Sequence, residues 1–245
     1  MKTLLWILLA TILDGLLGLS GVITLKLREK TFRNVIFWLV AFASGAMFAG
    51  GLFHLFLESL HEIGAEAAVL ILMGGFIFFF LMERIMRWHH CHEGHCKVHP
   101  ISSLIVLGDG LHNFIDGLIM AVTFIAGIPL GIITSLMIFA HEIPQELGNF
   151  AVLIHSKVKR GRALLLTFLS QITCVLGGIT GYFLRNIDPF KNFLMPFAAG
   201  GFLYISASDL IPELHKEAKL KKSLSAFALF LTGIIFMIAA KLILE

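Results

Sequence analysis

Two neighbouring stretches carry side chains that could ligate a metal. Residues 107–117 read L-G-D-G-L-H-N-F-I-D-G, and residues 140–149 read A-H-E-I-P-Q-E-L-G-N. On a helix, residues three and four apart share a face. Asp109, His112 and Asp116 therefore form one stripe, with Asn113 beside it, and His141 pairs with Gln145 as Glu142 pairs with Glu146. Imidazole nitrogens and carboxylate oxygens suit zinc and neighbouring divalent ions. Gln145 can add a carbonyl oxygen, and no thiolate lies in either stretch, which disfavours Cu(I) or an iron–sulfur cluster. Pro144 cannot donate to the carbonyl of Ala140, so a bend beside these ligands is expected. Both stretches lie in sequence apolar enough to cross a bilayer, where each ionisable side chain costs ~2.5–3.5 kcal/mol on insertion scales. Asp109, His112, Asp116, His141, Glu142 and Glu146 thus need one another, water or a bound cation.

The elements that must position these residues are membrane helices. Of the 245 residues, 58% are apolar and 14% charged, the mean hydropathy is +0.90 and the formal charge is +3. That composition excludes an ordinary soluble domain and gives no support to nucleic-acid binding. A span needs ~20 mainly apolar residues. Qualifying runs are Leu4 to Leu25, Asn34 to Leu57, Glu66 to Trp88, Ile101 to Ala126, Pro129 to Ile154, Ala163 to Leu184, Phe193 to Leu214 and Leu224 to Leu244. The expected fold is an all-α polytopic membrane protein of eight transmembrane helices forming one domain over residues 1–245. Inverted three-helix repeats flanking central spans four and five would suit this pattern. The first run is read as a span rather than a secretory leader, because it is long for one, contains Asp14 and shows no small-x-small cleavage site. The pairs Gly74-Gly75, Gly177-Gly178 and Gly200-Gly201 suit close helix approach.

Charge sets the expected topology. Every Lys and Arg except Lys2, Arg185, Lys191 and Lys241 falls at the loops after spans one, three, five and seven. By the positive-inside rule those loops face the cytosol and both termini lie outside it. The cell (inner) membrane is the expected setting. The loop after span two carries Glu58, His61, Glu62 and Glu66, an acidic outer rim that would gather cations.

The run His112-Asn113-x-x-Asp116-Gly117, followed by His141-Glu142-x-Pro144-x-Glu146-x-Gly148, resembles the paired signature of the ZIP (Zrt/Irt-like protein) family of divalent-metal transporters. It is most similar to the subfamily whose fifth span reads H-E-x-P-H-E-x-G-D. Supporting likenesses are Gly108-Asp109-Gly110-Leu111, His54, and Phe202-Leu203-Tyr204-Ile205 with Asp209-x-x-Pro212-Glu213. The resemblance implies a homodimeric importer in the lipid bilayer, not an enzyme. It would carry Zn2+, or Fe2+, Mn2+ or Cd2+, to the cytosol as substrate by an elevator-like, alternating-access cycle. It also implies that His112, Asn113, Asp116, His141, Glu142 and Gln145 hold the metal at mid-membrane. Gln145 stands where histidine is usual and Asn149 where aspartate is usual. The matching part of span six, Ser170-Gln171-Ile172-Thr173-Cys174, has no carboxylate, which disfavours a full binuclear centre.

Further residues are candidates for secondary metal or pathway roles: Asp109, Glu146, His54 with Glu58, and Asp209 with Glu213. Residues 89–99 pack His89, His90, Cys91, His92, His95, Cys96 and His99 into one cytosolic loop, a composition that binds metal through imidazole and thiolate. Two other functions remain open. His141-Glu142-x-x-Gln145 comes within one residue of the H-E-x-x-H motif of a zinc-dependent hydrolase, here intramembrane. A metal-sensing membrane protein would draw on the His-rich loop.

Overall fold

The computed structural model describes residues 2–20, 29–88, 99–155, 158–186 and 188–244, and it contains helices and no strand among them. The described residues form eight long helical stretches. They are α1 (Lys2–Leu17), α2 (Glu29–Gly50), α3 (Ala65–Trp88), α4 (His99–Ala126), α5 (Ile128–His155), α6 (Arg160–Phe183), α7 (Asp188–Ile205) and α8 (Leu220–Leu244). Two of them run on through a π-helical turn into a short α-helical tail. In α2 the turn is Gly51–Phe56 and the tail Leu57–Ile63; in α7 they are Ser206–Leu210 and Ile211–His215. Gly64, at φ 80°, ends the α2 tail and starts α3, a backbone conformation that favours glycine.

Five stretches are long and apolar enough to cross a bilayer: Asn34–Ile63, Ala65–Ile85, Arg160–Asn186, Asn192–His215 and Leu220–Ile243. The described part of α1 has 16 residues, short of the ~20 a span needs. Helices α4 and α5 have 28 residues each, but the polar residues of both motifs lower their hydropathy. Large apolar side chains such as Leu70, Leu107, Phe183 and Leu220 point outward, as suits contact with lipid rather than water. The chain is an all-α, multi-pass membrane protein.

Without a hydrophobic drive between helices in lipid, association depends on close packing. Three pairs of helices achieve it with reciprocal glycines. A Cβ on Gly117 would lie 1.9 Å from the carbonyl oxygen of Cys174, and one on Gly177 would lie 2.0 Å from that of Phe114, so α4 and α6 meet backbone to backbone. Gly75 and Gly200 do the same for α3 and α7, and Gly45 and Gly233 for α2 and α8. The expectation of close approach thus holds at Gly75, Gly177 and Gly200, whereas Gly74 faces open space.

Helix α1 joins this packing through Gly178, beside Ile7 and Thr11, and through Thr167, whose hydroxyl donates to the carbonyl of Gly18 at 2.9 Å. Packing therefore divides the helices. Helices α1, α4, α5 and α6 pack chiefly on one another, and α2, α3, α7 and α8 form a second group. The groups meet mainly where α2 crosses α5, with Met137 seated over Gly50.

A single residue, Gly127, separates α4 from α5. Its amide donates to the carbonyl of Thr123 and its carbonyl accepts from Gly131, both at 2.9 Å. The two helices fold back as a hairpin. His112 and His141 lie at nearly equal sequence distance from this turn, each ~21–22 Å along its axis at 1.5 Å per residue. The short connection thereby brings the two motifs level.

A candidate metal centre between helices α4 and α5

At that level, His112 and Asp116 of α4 meet His141 and Glu142 of α5, all four buried. The two Nε2 atoms are 3.3 Å apart. Asp116 Oδ2 lies 3.5 Å from His112 Nε2 and 3.4 Å from His141 Nε2. Glu142 Oε1 lies 3.4 Å from each of the same nitrogens. A regular tetrahedron with such edges has its corners ~2.1 Å from its centre, the usual Zn–N and Zn–O bond length. Asp116 Oδ2 and Glu142 Oε1, the atoms that face the histidines, are buried and accept no hydrogen bond. Two nitrogens and two unsatisfied carboxylate oxygens converge, all within 4.8 Å of one another, in an arrangement that could hold a divalent ion.

Neighbouring groups hold this geometry. His141 Nδ1 is 3.2 Å from the carbonyl oxygen of Met137. A carbonyl can only accept, so the proton sits on Nδ1 and the Nε2 lone pair is left for the cluster. The Nε2 of Gln171, on α6, donates to Glu142 Oε2 and thereby orients Oε1 inward. Phe79 of α3 and Phe202 of α7 stand edge-on to the rings of His112 and His141, with centroids 6.0 Å apart in both pairs. Helices of the second group thus wall a site whose four donors all come from the first.

The other predicted residues are distributed differently. Asn113 is buried beside the cluster: its Nδ2 donates to the Asp109 carbonyl at 2.9 Å, and its Oδ1 has no hydrogen-bond partner. Gln145 donates through Nε2 to Asp109 Oδ1 at 3.2 Å. Asn149 donates to the same oxygen at 2.7 Å and to Glu146 Oε1 at 3.4 Å. Asp109 and Glu146 thus form a second polar group one helical turn from the first. His54 is buried in the π-helical turn of α2, with Nε2 2.9 Å from the Met237 carbonyl on α8, so it links two helices of the second group. Glu58 lies half-buried on the α2 tail. Asp209 and Glu213 are exposed, and Glu213 pairs with Lys216.

His89, His90, Cys91, His92, His95 and Cys96 lie outside the described residues, as does the side chain of His99 at the start of α4.

Sequence reasoning missed Gln171. Its signal was a carboxamide inside an apolar run, with Thr167, Ser170 and Cys174 at helical spacing; all four are buried on one face of α6. Asp14 was also passed over as a site residue. It is fully buried on α1, and neither carboxylate oxygen has a hydrogen-bond partner.

Comparison with known proteins agrees with this architecture. The sequence profile of the family described as ZIP zinc transporter matches residues 2–101 and 89–241. "Zinc transporter zipt-7.2" of Caenorhabditis elegans is 34% identical over 139 residues, 55% of this chain and 30% of that protein. "Zinc transporter ZIP6" of Homo sapiens is 37% identical over 123 residues, 49% of this chain and 16% of its own length. "Metal cation symporter ZIP14" of Danio rerio is 37% identical over 141 residues, 57% of this chain and 28% of that protein. The matched segments span less than a third of these relatives. With the family profile running from residue 2 to residue 241, the chain belongs to the ZIP zinc transporter family.

Proposed function

We propose that this protein moves a divalent transition metal, zinc first among them, across a membrane through the cluster of His112, Asp116, His141 and Glu142. The carrying observation is the set of five separations of 3.3–3.5 Å among four buried donor atoms, two of them unsatisfied carboxylate oxygens. Family membership and the relatives named as zinc transporters and a metal cation symporter support transport as the purpose of such a site. Two neutral histidines and two carboxylates neutralise a divalent charge and leave no thiolate to trap it. A pathway must bind well enough to select and loosely enough to release.

The hydrolase alternative fits the residues less well. A catalytic zinc keeps three protein ligands and one open position, with the motif glutamate free as base. Here Glu142 Oε1 is itself one of four inward-facing donors.

In this reading eight spans cross the bilayer as one domain with inverted repeats, and both termini lie outside the cytosol. Metal travels towards the His/Cys-rich loop of residues 89–99. The division of the helices supports a cycle in which α1, α4, α5 and α6 carry the metal past α2, α3, α7 and α8. The protein would act as a homodimer in the cell membrane, and Fe2+, Mn2+ and Cd2+ are further candidate substrates. The test is zinc uptake into sealed proteoliposomes by wild type and His141→Ala. Uptake lost in the variant supports the reading; binding without flux in the wild type refutes it and returns a sensor.

A further inference from the structure

The geometry points to a second divalent-cation site, built of oxygen ligands alone from Asp109 and Glu146, one helical turn from the histidine cluster. On the reading of that cluster as a transport site, it is the next stop towards the ends of α4 and α5 that begin at His99 and finish at His155. Asp109 precedes His112 by three residues and Glu146 follows Glu142 by four, so both pairs lie along the facing stripes of the same hairpin. The step is about 4.5 Å of axial rise on α4 and about 6 Å on α5.

Asp109 and Glu146 are both buried, at 5% and 1% exposure, at a depth where nothing but protein or an ion can compensate them. Their carboxylates touch, and both accept from the single Nδ2 of Asn149, which holds them side by side. Two adjacent buried carboxylates repel unless they share a proton or a cation stands between them, and no Lys or Arg is among the partners the structure gives either one. Glu146 Oε2 is wholly buried with no hydrogen bond, so one oxygen of the pair remains free for a ligand.

Two further oxygens are within reach. Gln145 and Asn149 present their amide nitrogens to Asp109. Rotation of each amide by half a turn would present the carbonyl oxygen instead, as a cation between the carboxylates would require. Ser170 of α6 also bonds to Asp109 and offers a hydroxyl. A donor set of carboxylate, amide and hydroxyl oxygens without nitrogen or sulfur suits harder ions such as Mn2+, Mg2+ or Ca2+, relative to the histidine cluster. A cation passing from mixed nitrogen and oxygen ligands to oxygen alone is held less tightly at the second stop, the order that release requires.

The test counts bound Mn2+ by the loss of free-ion electron paramagnetic resonance signal on the purified full chain in lipid nanodiscs. Asp109→Asn with Glu146→Gln keeps the shape of both side chains and removes both charges. The pair should cost one bound Mn2+ per chain, both in the wild-type background and in one carrying His112→Ala with His141→Ala. No loss in either background overturns the second site. Loss only when the histidines are present also overturns it, because it reports one shared site.

A gain of function guards against misfolding: Asn149→Asp adds a third carboxylate and should tighten Mn2+ binding by ~tenfold or more, since ligand charge tunes such sites. Unchanged or weaker binding would mark Asn149 as part of a closed hydrogen-bond network and overturn the proposal. Because the readout is binding, it separates from the transport reading. Absent flux with the expected Mn2+ count removes the transporter and keeps the site, and zinc flux with no change in count does the reverse.

Discussion

Gln171 offers the sharpest test of how the cluster is held. It is fully buried on α6, and its Nε2 donates to the outer oxygen of Glu142 while the inner oxygen faces the two histidines. Gln171→Leu keeps most of the side-chain volume and removes this support, along with the contact Gln171 makes to Glu146. Hydrogen bonds to charged groups contribute ~1.5–3 kcal/mol. Loss of a partner that orients a metal ligand costs ~10–100-fold in affinity, or ~1.4–2.7 kcal/mol. The two estimates overlap, so zinc affinity should fall by one to two orders of magnitude.

Metal-free stability should move far less. Gln171 Oε1 is buried without a partner, and its removal offsets part of the loss at Nε2. The assay is competition against a fluorescent zinc chelator on solubilised protein, beside a thermal melt of the metal-free form. Affinity unchanged in Gln171→Leu while Glu142→Gln abolishes binding would refute the claim that α6 positions Glu142. A collapse of the melt with affinity intact would recast Gln171 as a purely structural contact.

Other perturbations separate packing, protonation and the loop. Gly117→Val places side-chain atoms against the Cys174 carbonyl, where a Cβ already lies 1.9 Å away, so α4 and α6 must part; overpacking costs ~1–3 kcal/mol or more, and a melting temperature equal to wild type would contradict the backbone contact. Histidine ligates only when neutral and carboxylate only when ionised, so protons compete with zinc for the donors and binding should weaken as pH falls from 7 towards ~5. Affinity flat across that range would argue against His112 and His141 as ligands. Serine replacement of His89, His90, Cys91, His92, His95 and Cys96 should leave most of the flux, whereas His112→Ala should remove at least ~90% of it; equal losses would move selection to the loop.

The centre of the molecule was legible because chemistry and geometry coincide there. Histidines and carboxylates inside apolar runs are too costly to be incidental, and helical spacing alone places His112 with Asp116 on one face. What spacing along one helix cannot express is rotation about the helix axis relative to a neighbour. Gln145 shares a face with His141 in the sequence, yet the contact with α4 turns it one level along to Asp109. His54 stands out in the sequence only as a polar residue in an apolar run, and spacing cannot show its contact with a carbonyl 183 residues away on α8. Gln171 was hidden for the complementary reason: its role exists only through Glu142, on a different helix. The span pattern was readable from hydropathy for α2, α3, α6, α7 and α8. It was weaker for α4 and α5, because the residues that make the site are the ones that erode the signal.

One divalent ion held among His112, Asp116, His141 and Glu142 would be visible by X-ray absorption at the zinc edge of protein loaded with one zinc per chain. Four nitrogen or oxygen neighbours at ~2.0–2.2 Å are expected, two of them imidazole, with the imidazole scattering reduced in His141→Ala. A sulfur neighbour at ~2.3 Å would place the first zinc on Cys91 or Cys96 in the loop and contradict it.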